Sequence, residues 1–280
     1  MTAGAPLLRV DGLTKIYGSC CPACVALTGP DVGTNVCPRC RSVVACADVS
    51  LVVDAGEIFG IVGESGSGKT TVLRCLYGDE RPTSGCARLA SLEDGRANVF
   101  EAPPRRRHEI RTRLLGMVYQ HPSLGLRMDL SSGANIAERL LMVGQRHFGR
   151  IRARAQGLLE RTEVPVGRMD EPPRRFSGGM QQRVQIAKAL ANDPPILLLD
   201  EVTSSLDASV QARVLDLIRE LQRRLGVAMI VVSHDLGVIR LLASRTAVMK
   251  DGRIVEVGLT DQILEDPQHE YTQLLVGAQV

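Results

Sequence analysis

The sequence predicts an α/β protein: a mixed, mostly parallel sheet flanked by helices, with an α-helical subdomain in its middle and a small cysteine-rich insertion near its front. Three observations carry that expectation. An apolar strand, "EIFGIV", runs into a glycine-rich turn and then a helix. After residue 195, continuous apolar runs alternate with helical stretches, the pattern of strands covered on both faces. Between about 105 and 192, helical periodicity dominates, punctuated by glycines and by Pro165, Pro172 and Pro173. The chain has 280 residues, 44% of them hydrophobic and 23% charged, which is ordinary globular composition with enough length to bury a core.

The elements follow in order. "LLRVDGLTKIY" (7–17) alternates like an edge strand, and "ADVSLVVDAGEIFGIVG" (47–63) reads as two strands around a turn at Asp54–Gly56. A helix starts at the glycine-rich loop. "RRRH" (105–108) is short enough to be a solvated helix start. "SGANIAERLLMVG" and "RIRARAQGLLERTEV" are helical, and "ILLLD", a helix over Ser209–Leu225, "VAMIVVSHD" and "RTAVMKDGRIVEVG" complete the sheet. The formal charge of +3 gives no basic field suited to nucleic acid. No apolar run reaches the ~18 residues of a membrane span. "MTAGAPLLRVDG" lacks the pattern of a signal peptide, so a cytoplasmic location is expected.

The chemistry begins at "GESGSGKT", which fits G-x-x-x-x-G-K-[ST] between a strand and a helix. Gly63, Glu64, Ser65, Gly66, Ser67 and Gly68 form a loop whose amide groups turn toward phosphate oxygens. Lys69 adds a point charge, Thr70 an oxygen for Mg²⁺, and Thr71 continues the helix. "ILLLDE" supplies the partner: an apolar strand ending in Asp200, suited to the magnesium shell, and Glu201, suited to polarising a water. Phosphate oxygens and Mg²⁺ are the expected ligands of these two motifs, and the resemblance carried by the next motif implies that the phosphates are those of ATP, hydrolysed to ADP and phosphate.

"FSGGMQQR" (176–183) then resembles the signature of ATP-binding-cassette ATPases. The resemblance covers nearly the whole chain apart from about residues 18–46. It implies that Gln120 in "MVYQHP" senses magnesium and couples to the helical subdomain, that "SSLD", ending in Asp207, crosses a dimer interface, and that His234 in "VVSHD" holds the γ-phosphate and the attacking water. It also implies that Tyr17 stacks on adenine. Ser177, Gly178 and Gly179, followed by Met180 and Gln181, would face the ATP of the opposing subunit, so that ATP closes a dimer and hydrolysis weakens it. Glu201, His234 and Gln120 are thus the catalytic candidates. In one place the chain departs from the family: Val202 stands where Asp-Glu-Pro-Thr has its proline, which puts catalytic efficiency in question.

Finer text, "QHPSLGLR", "GANIAERLLMVGQRHFGRIRARA", "FSGGMQQRVQIAKAL" and "GLTDQILEDPQHEYTQLL", is similar to the cassette ATPases of the bacterial carbon-phosphorus lyase system. That resemblance implies docking on the soluble lyase core and nucleotide-driven remodelling of it in phosphonate breakdown, as a homodimer or as a heterodimer with a related cassette. A peripheral ATPase of a peptide or nickel importer, touching the membrane only through its permease, and an ATP-gated scaffold with little turnover are the alternatives.

Six of the eight cysteines lie between Cys20 and Cys46. Cys21-Pro-Ala-Cys24 and Cys37-Pro-Arg-Cys40 are two tight clips, and four thiolates in a tetrahedral array suit structural Zn²⁺. Iron in a rubredoxin-like site, a cluster drawing in Cys20 or Cys46, and free redox thiols are the other chemistries open to this spacing. Cys75 and Cys86 read as small apolar residues. Residues 18–46 are therefore expected to form a zinc-ribbon-like recognition element inside a cassette domain spanning 1–280, with the α-helical subdomain and signature at about 105–192.

Overall fold

The computed structural model describes residues 6–278; the leader-free reading of the first five residues lies outside them. In chain order the described residues form β1 (Leu8–Tyr17), β2 (Val43–Val53), β3 (Ile58–Val62), α1 (Lys69–Tyr77), β4 (Ser84–Leu89), α2 (Pro104–Glu109), β5 (Leu115–Val118), α3 (Pro122–Gly125), α4 (Ser132–Met142), α5 (Phe148–Arg161), α6 (Gly178–Ala189), β6 (Ile196–Asp200), α7 (Ala208–Leu225), β7 (Ala228–Ser233), α8 (Leu236–Leu242), β8 (Arg245–Lys250), β9 (Arg253–Leu259), α9 (Thr260–Glu265) and α10 (Glu270–Gly277). They fall into two compact units. One takes in the described residues up to Arg107 and from Ile230 onward, the other His108–Met229.

In the first unit, β2, β1 and β4 make an antiparallel sheet with β1 at its centre, paired from Leu8↔Val53 to Tyr17↔Val43 on one side and from Leu8↔Leu89 to Thr14↔Ser84 on the other. The alternation of 7–17 does mark a strand with one buried face, but not an edge strand, because alternation reports which face is covered and says nothing of how many neighbours bond the backbone. β3 pairs with β8 in parallel and β8 with β9 in antiparallel. All five residues of β3 are buried, so "IFGIV" is apolar throughout, whereas β9 is half-buried to exposed. The turn at Asp54–Gly56 divides two sheets: β2 before it belongs to the antiparallel layer and β3 after it to the mixed one.

In the second unit, β5 and β6 pair in parallel, and α6 packs against α4, α5 and α7. Side-chain oxygens begin two of these helices: Ser131 accepts from the Ala134 amide ahead of α4, and Ser177 from the Met180 amide ahead of α6. α7 buries Val214, Leu215, Leu217, Ile218 and Leu221 on one stripe and ends at Gly226 in the left-handed region, φ 62°. α2 through α6 account for the expected helices between 105 and 192, with β5 among them. No helix of the described residues is long and apolar enough to cross a membrane.

Candidate functional site

The phosphate loop belongs to the first unit. β3 delivers the chain into it fully buried, and α1 leaves it with no acidic residue in its first turn, so the positive end of the helix dipole stays available to an anion. Lys69 is buried, and its Nζ donates to the carbonyls of Gly63 and Glu64, both at 2.7 Å, and to Ser67 Oγ at 3.2 Å. Gly68 caps the helix at φ 101°, and a Cβ there would stand 2.0 Å from the Ala45 carbonyl oxygen, so glycine alone fits. Ser65 and Gly66 lie at the exposed tip, while Thr70 and Thr71 are half-buried at the start of α1.

Two further residues of this unit touch the loop and were not foreseen. The Glu64 amide donates to Tyr271 Oη at 3.1 Å, and Asn35 Nδ2 donates to the Gly66 carbonyl at 3.4 Å. Tyr271 falls in "GLTDQILEDPQHEYTQLL", a stretch informative only as a family resemblance, and Asn35 between the two cysteine clips; neither carries a local motif. Tyr17 ends β1 half-exposed with the Lys15 ammonium 4.6 Å from its ring centroid, and His234 is exposed between β7 and α8, next to Asp235, which caps α8.

In the second unit, β6 carries Asp200, buried, and Glu201, which takes φ 45° in the turn that follows. Gln120 Nε2 donates to Glu201 Oε2 and to Ser204 Oγ, each at 3.2 Å, while Ser204 N and Oγ both bond the Glu201 carbonyl. This turn closes without a proline, and Val202 is buried in it. The strand end bearing Gln120 is held by α6: the Tyr119 amide donates to Gln185 Oε1 at 2.8 Å, and the side-chain amides of Gln182 and Gln185 donate to the Tyr119 carbonyl. Gln182 and Gln185 are both buried and went unnoticed in the sequence; their spacing of three on one helix face was the available signal.

The signature turn precedes α6. Gln181 Nε2 donates to the carbonyls of Pro173 and Phe176, both at 3.0 Å, and the Arg168 guanidinium lies 4.4 Å from the Phe176 ring centroid. Ser177 and Gly178 are exposed, whereas Gly179 is buried where α6 meets α7: a Cβ there would stand 2.3 Å from Val210 Cγ1. Met180 Sδ is 3.6 Å from Arg168 Nη1, and Asp207 is exposed at the start of α7.

The two cysteine clips of the first unit come together. The Sγ atoms of Cys21, Cys24, Cys37 and Cys40 all lie within 4.8 Å of one another, with 3.6 Å between Cys21 and Cys24, 3.7 Å between Cys21 and Cys37, and 3.3 Å between Cys24 and Cys40. A tetrahedral centre with bonds of about 2.3 Å puts its sulfurs roughly 3.8 Å apart, so this donor set fits a four-thiolate metal. Cys20 is exposed and Cys46 buried, and neither is part of the group. Cys24 is fully buried, which pushes its thiol up, whereas hydrogen bonding with the Ser42 side chain and backbone pulls Cys40 down to about 5. A cation among them would let all four be thiolates at once. The group sits at the tip of the β1–β2 hairpin: the chain leaves at Tyr17 and re-enters β2 at its partner Val43, so 43–46 are strand.

Cys75 is buried, its thiol pushed up to about 12 by desolvation, and Cys86 is half-buried.

Residues 46–204 match the ABC transporter family. The chain is 50% identical over 273 residues to the phosphonates utilization ATP-binding protein PhnK of Escherichia coli, covering 98% of this chain and 97% of that one. It is 34% identical to the peptide import ATP-binding protein BOV_A0347 of Brucella ovis over 98% of this chain and 78% of that one. The ATP-binding cassette MJ0796, solved as a dimer in a post-hydrolysis state bound to ADP and Pi, superposes with a TM-score of 0.74 at 28% identity, covering 90% of this chain and 98% of that one. The chain therefore belongs to the ABC transporter family, as a cassette ATPase that binds ATP with Mg²⁺ and hydrolyses it.

Proposed function

We propose that this ATPase serves phosphonate breakdown, docking on the soluble carbon-phosphorus lyase core and remodelling it through ATP-driven closure of a cassette dimer. The observation that carries this reading is the 50% identity to PhnK along 98% of the chain. In the proposed cycle, the amides of Gly63–Gly68 and the Lys69 ammonium bind the phosphates, and Tyr17 stacks on adenine. Mg²⁺, held by Thr70 and Asp200 with Gln120, would neutralise charge on the β- and γ-phosphate oxygens. Glu201 orients and deprotonates the attacking water, kept in place by Gln120 and Ser204, and His234 steadies the γ-phosphate. Ser177, the amides of Gly178 and Gly179, Met180, Gln181 and Asp207 face the nucleotide of the opposing subunit, itself a copy of this chain or a related cassette. The 105–192 subdomain meets the lyase core, and the 18–46 element, folded around Zn²⁺ held by Cys21, Cys24, Cys37 and Cys40, assists recognition.

The likeness to BOV_A0347 favours a second reading, a peripheral importer ATPase. Pull-down of Glu201→Gln protein with ATP and Mg²⁺ from its native cytoplasm and membranes separates the two. Recovery of soluble lyase subunits supports the first, and recovery of integral permease subunits sinks it in favour of the second.

A further inference from the structure

The thiolate group is attached to the phosphate loop through the same short stretch of chain. Asn35 sits two residues before Cys37; its carbonyl accepts from the Val44 amide at 2.8 Å, and Val36 bridges Val43. Asn35 is thus fixed from both sides of the hairpin tip, and its side chain reaches the Gly66 carbonyl. Gly66, at φ 85°, lies at the exposed tip of the loop, with nothing within 4 Å of where its Cβ would be. Across a trans planar peptide the carbonyl and the following N–H point in opposite directions. Holding the Gly66 oxygen toward Asn35 therefore holds the Ser67 N–H toward the interior of the loop, where it donates to the Glu64 carbonyl at 3.2 Å.

The return strand adds two contacts. The Ala45 carbonyl packs against Gly68, and the Ala47 amide donates to Gly252 O, while the Gly252 amide donates to Ser67 O. The Arg253 guanidinium ties the first clip into the same neighbourhood by donating to the Val25 carbonyl at 2.8 Å.

We infer that metal occupancy of the Cys21, Cys24, Cys37 and Cys40 group sets the affinity of this ATPase for nucleoside triphosphate, with Asn35 as the positioning residue that transmits it to Gly66. The inference rests on reading the four thiolates as a metal site. Apo protein loses the constraint that fixes Asn35, the Gly66 peptide turns more freely, and ordering the loop around phosphate becomes part of the cost of binding.

The test measures the half-saturating ATP concentration and the turnover number of the full chain, beside its zinc content, before and after extraction with a zinc-selective chelator that leaves Mg²⁺ in solution. Metal removal from the wild type raises half-saturation roughly three- to tenfold, the worth of one hydrogen bond, and leaves turnover within about twofold. Asn35→Ala, still carrying one zinc per chain, shows the same rise, and extracting its zinc adds little more. The inference is overturned if zinc-loaded Asn35→Ala binds ATP as tightly as the wild type. It is equally overturned if extraction shifts the variant as far as the wild type, since the coupling then bypasses Asn35. If the wild type holds no zinc even when supplemented, the metal reading itself falls, and the zinc assay shows that separately from any change in ATP affinity.

Discussion

The Gln120 side-chain amide is bonded directly to the Glu201 carboxylate, at 3.2 Å, and the same amide reaches Ser204 Oγ. The glutamine that the sequence marks as a coupling residue thus holds the carboxylate that the sequence marks as the base.

From this pairing, Glu201→Gln is expected to slow phosphate release by about 10²- to 10³-fold while ATP binding persists. Gel filtration with ATP and Mg²⁺ should then show a dimer that the wild type does not accumulate. Turnover near the wild-type rate in this variant would remove Glu201 from its proposed role.

Gln185 holds both the amide and the carbonyl of Tyr119 from a fully buried position. Gln185→Met keeps the volume but removes the bond to the Tyr119 amide and one of the two side-chain bonds to its carbonyl, leaving Gln182 on the latter, at about 1–3 kcal/mol. Urea unfolding should show that loss. Because Tyr119 precedes Gln120, turnover should fall further than stability alone explains.

Gly179 admits no side chain where α6 meets α7. Gly179→Ala drives a methyl into Val210, a stiff β-branched neighbour, and should cost about 1–3 kcal/mol. Combining it with Val210→Ala should recover part of the loss, so a double-mutant cycle showing simple additivity would contradict this contact.

Cys24→Ser should abolish metal binding and lower stability, whereas Cys20→Ser, adjacent to Cys21 in sequence but outside the group, should leave one metal per chain. A site held at about a hundred times its Kd contributes about 2.7 kcal/mol, a shift that thermal unfolding with and without chelator resolves.

Much of this was legible in the chain because each signal is local. "GESGSGKT" carries its own strand and helix, "ILLL" is buried on both faces and so apolar at every position up to Asp200, and each Cys-x-x-Cys clip closes within one turn. What escaped depends on partners distant in sequence. The central place of β1 is set by β4, which pairs with it from some seventy residues away. Tyr271 reaches Glu64 across 207 positions, and Asn35 reaches Gly66 across 31, so neither leaves a pattern in its own neighbourhood. Gln182 and Gln185 read as ordinary polar positions on a helix because only the fold places the Tyr119 backbone before them. At Val202, where the family has proline, the Ser204 amide and hydroxyl close the turn on the Glu201 carbonyl, a pair of bonds that the dipeptide around Val202 does not announce.

The pairing of Tyr17 with Val43 has a topological consequence. The segment between them starts and finishes one strand spacing apart, so it hangs on the sheet as a loop whose two ends already meet. Such a graft leaves the register of β1 and β2 unchanged whether it is long or short, and lengthening a closed loop adds only logarithmically to its entropy. A chain in which a tight turn joins Tyr17 to Val43 would keep every strand of its sheet. The cysteine element is thus a detachable module, acquired or discarded without redrawing the scaffold that carries it.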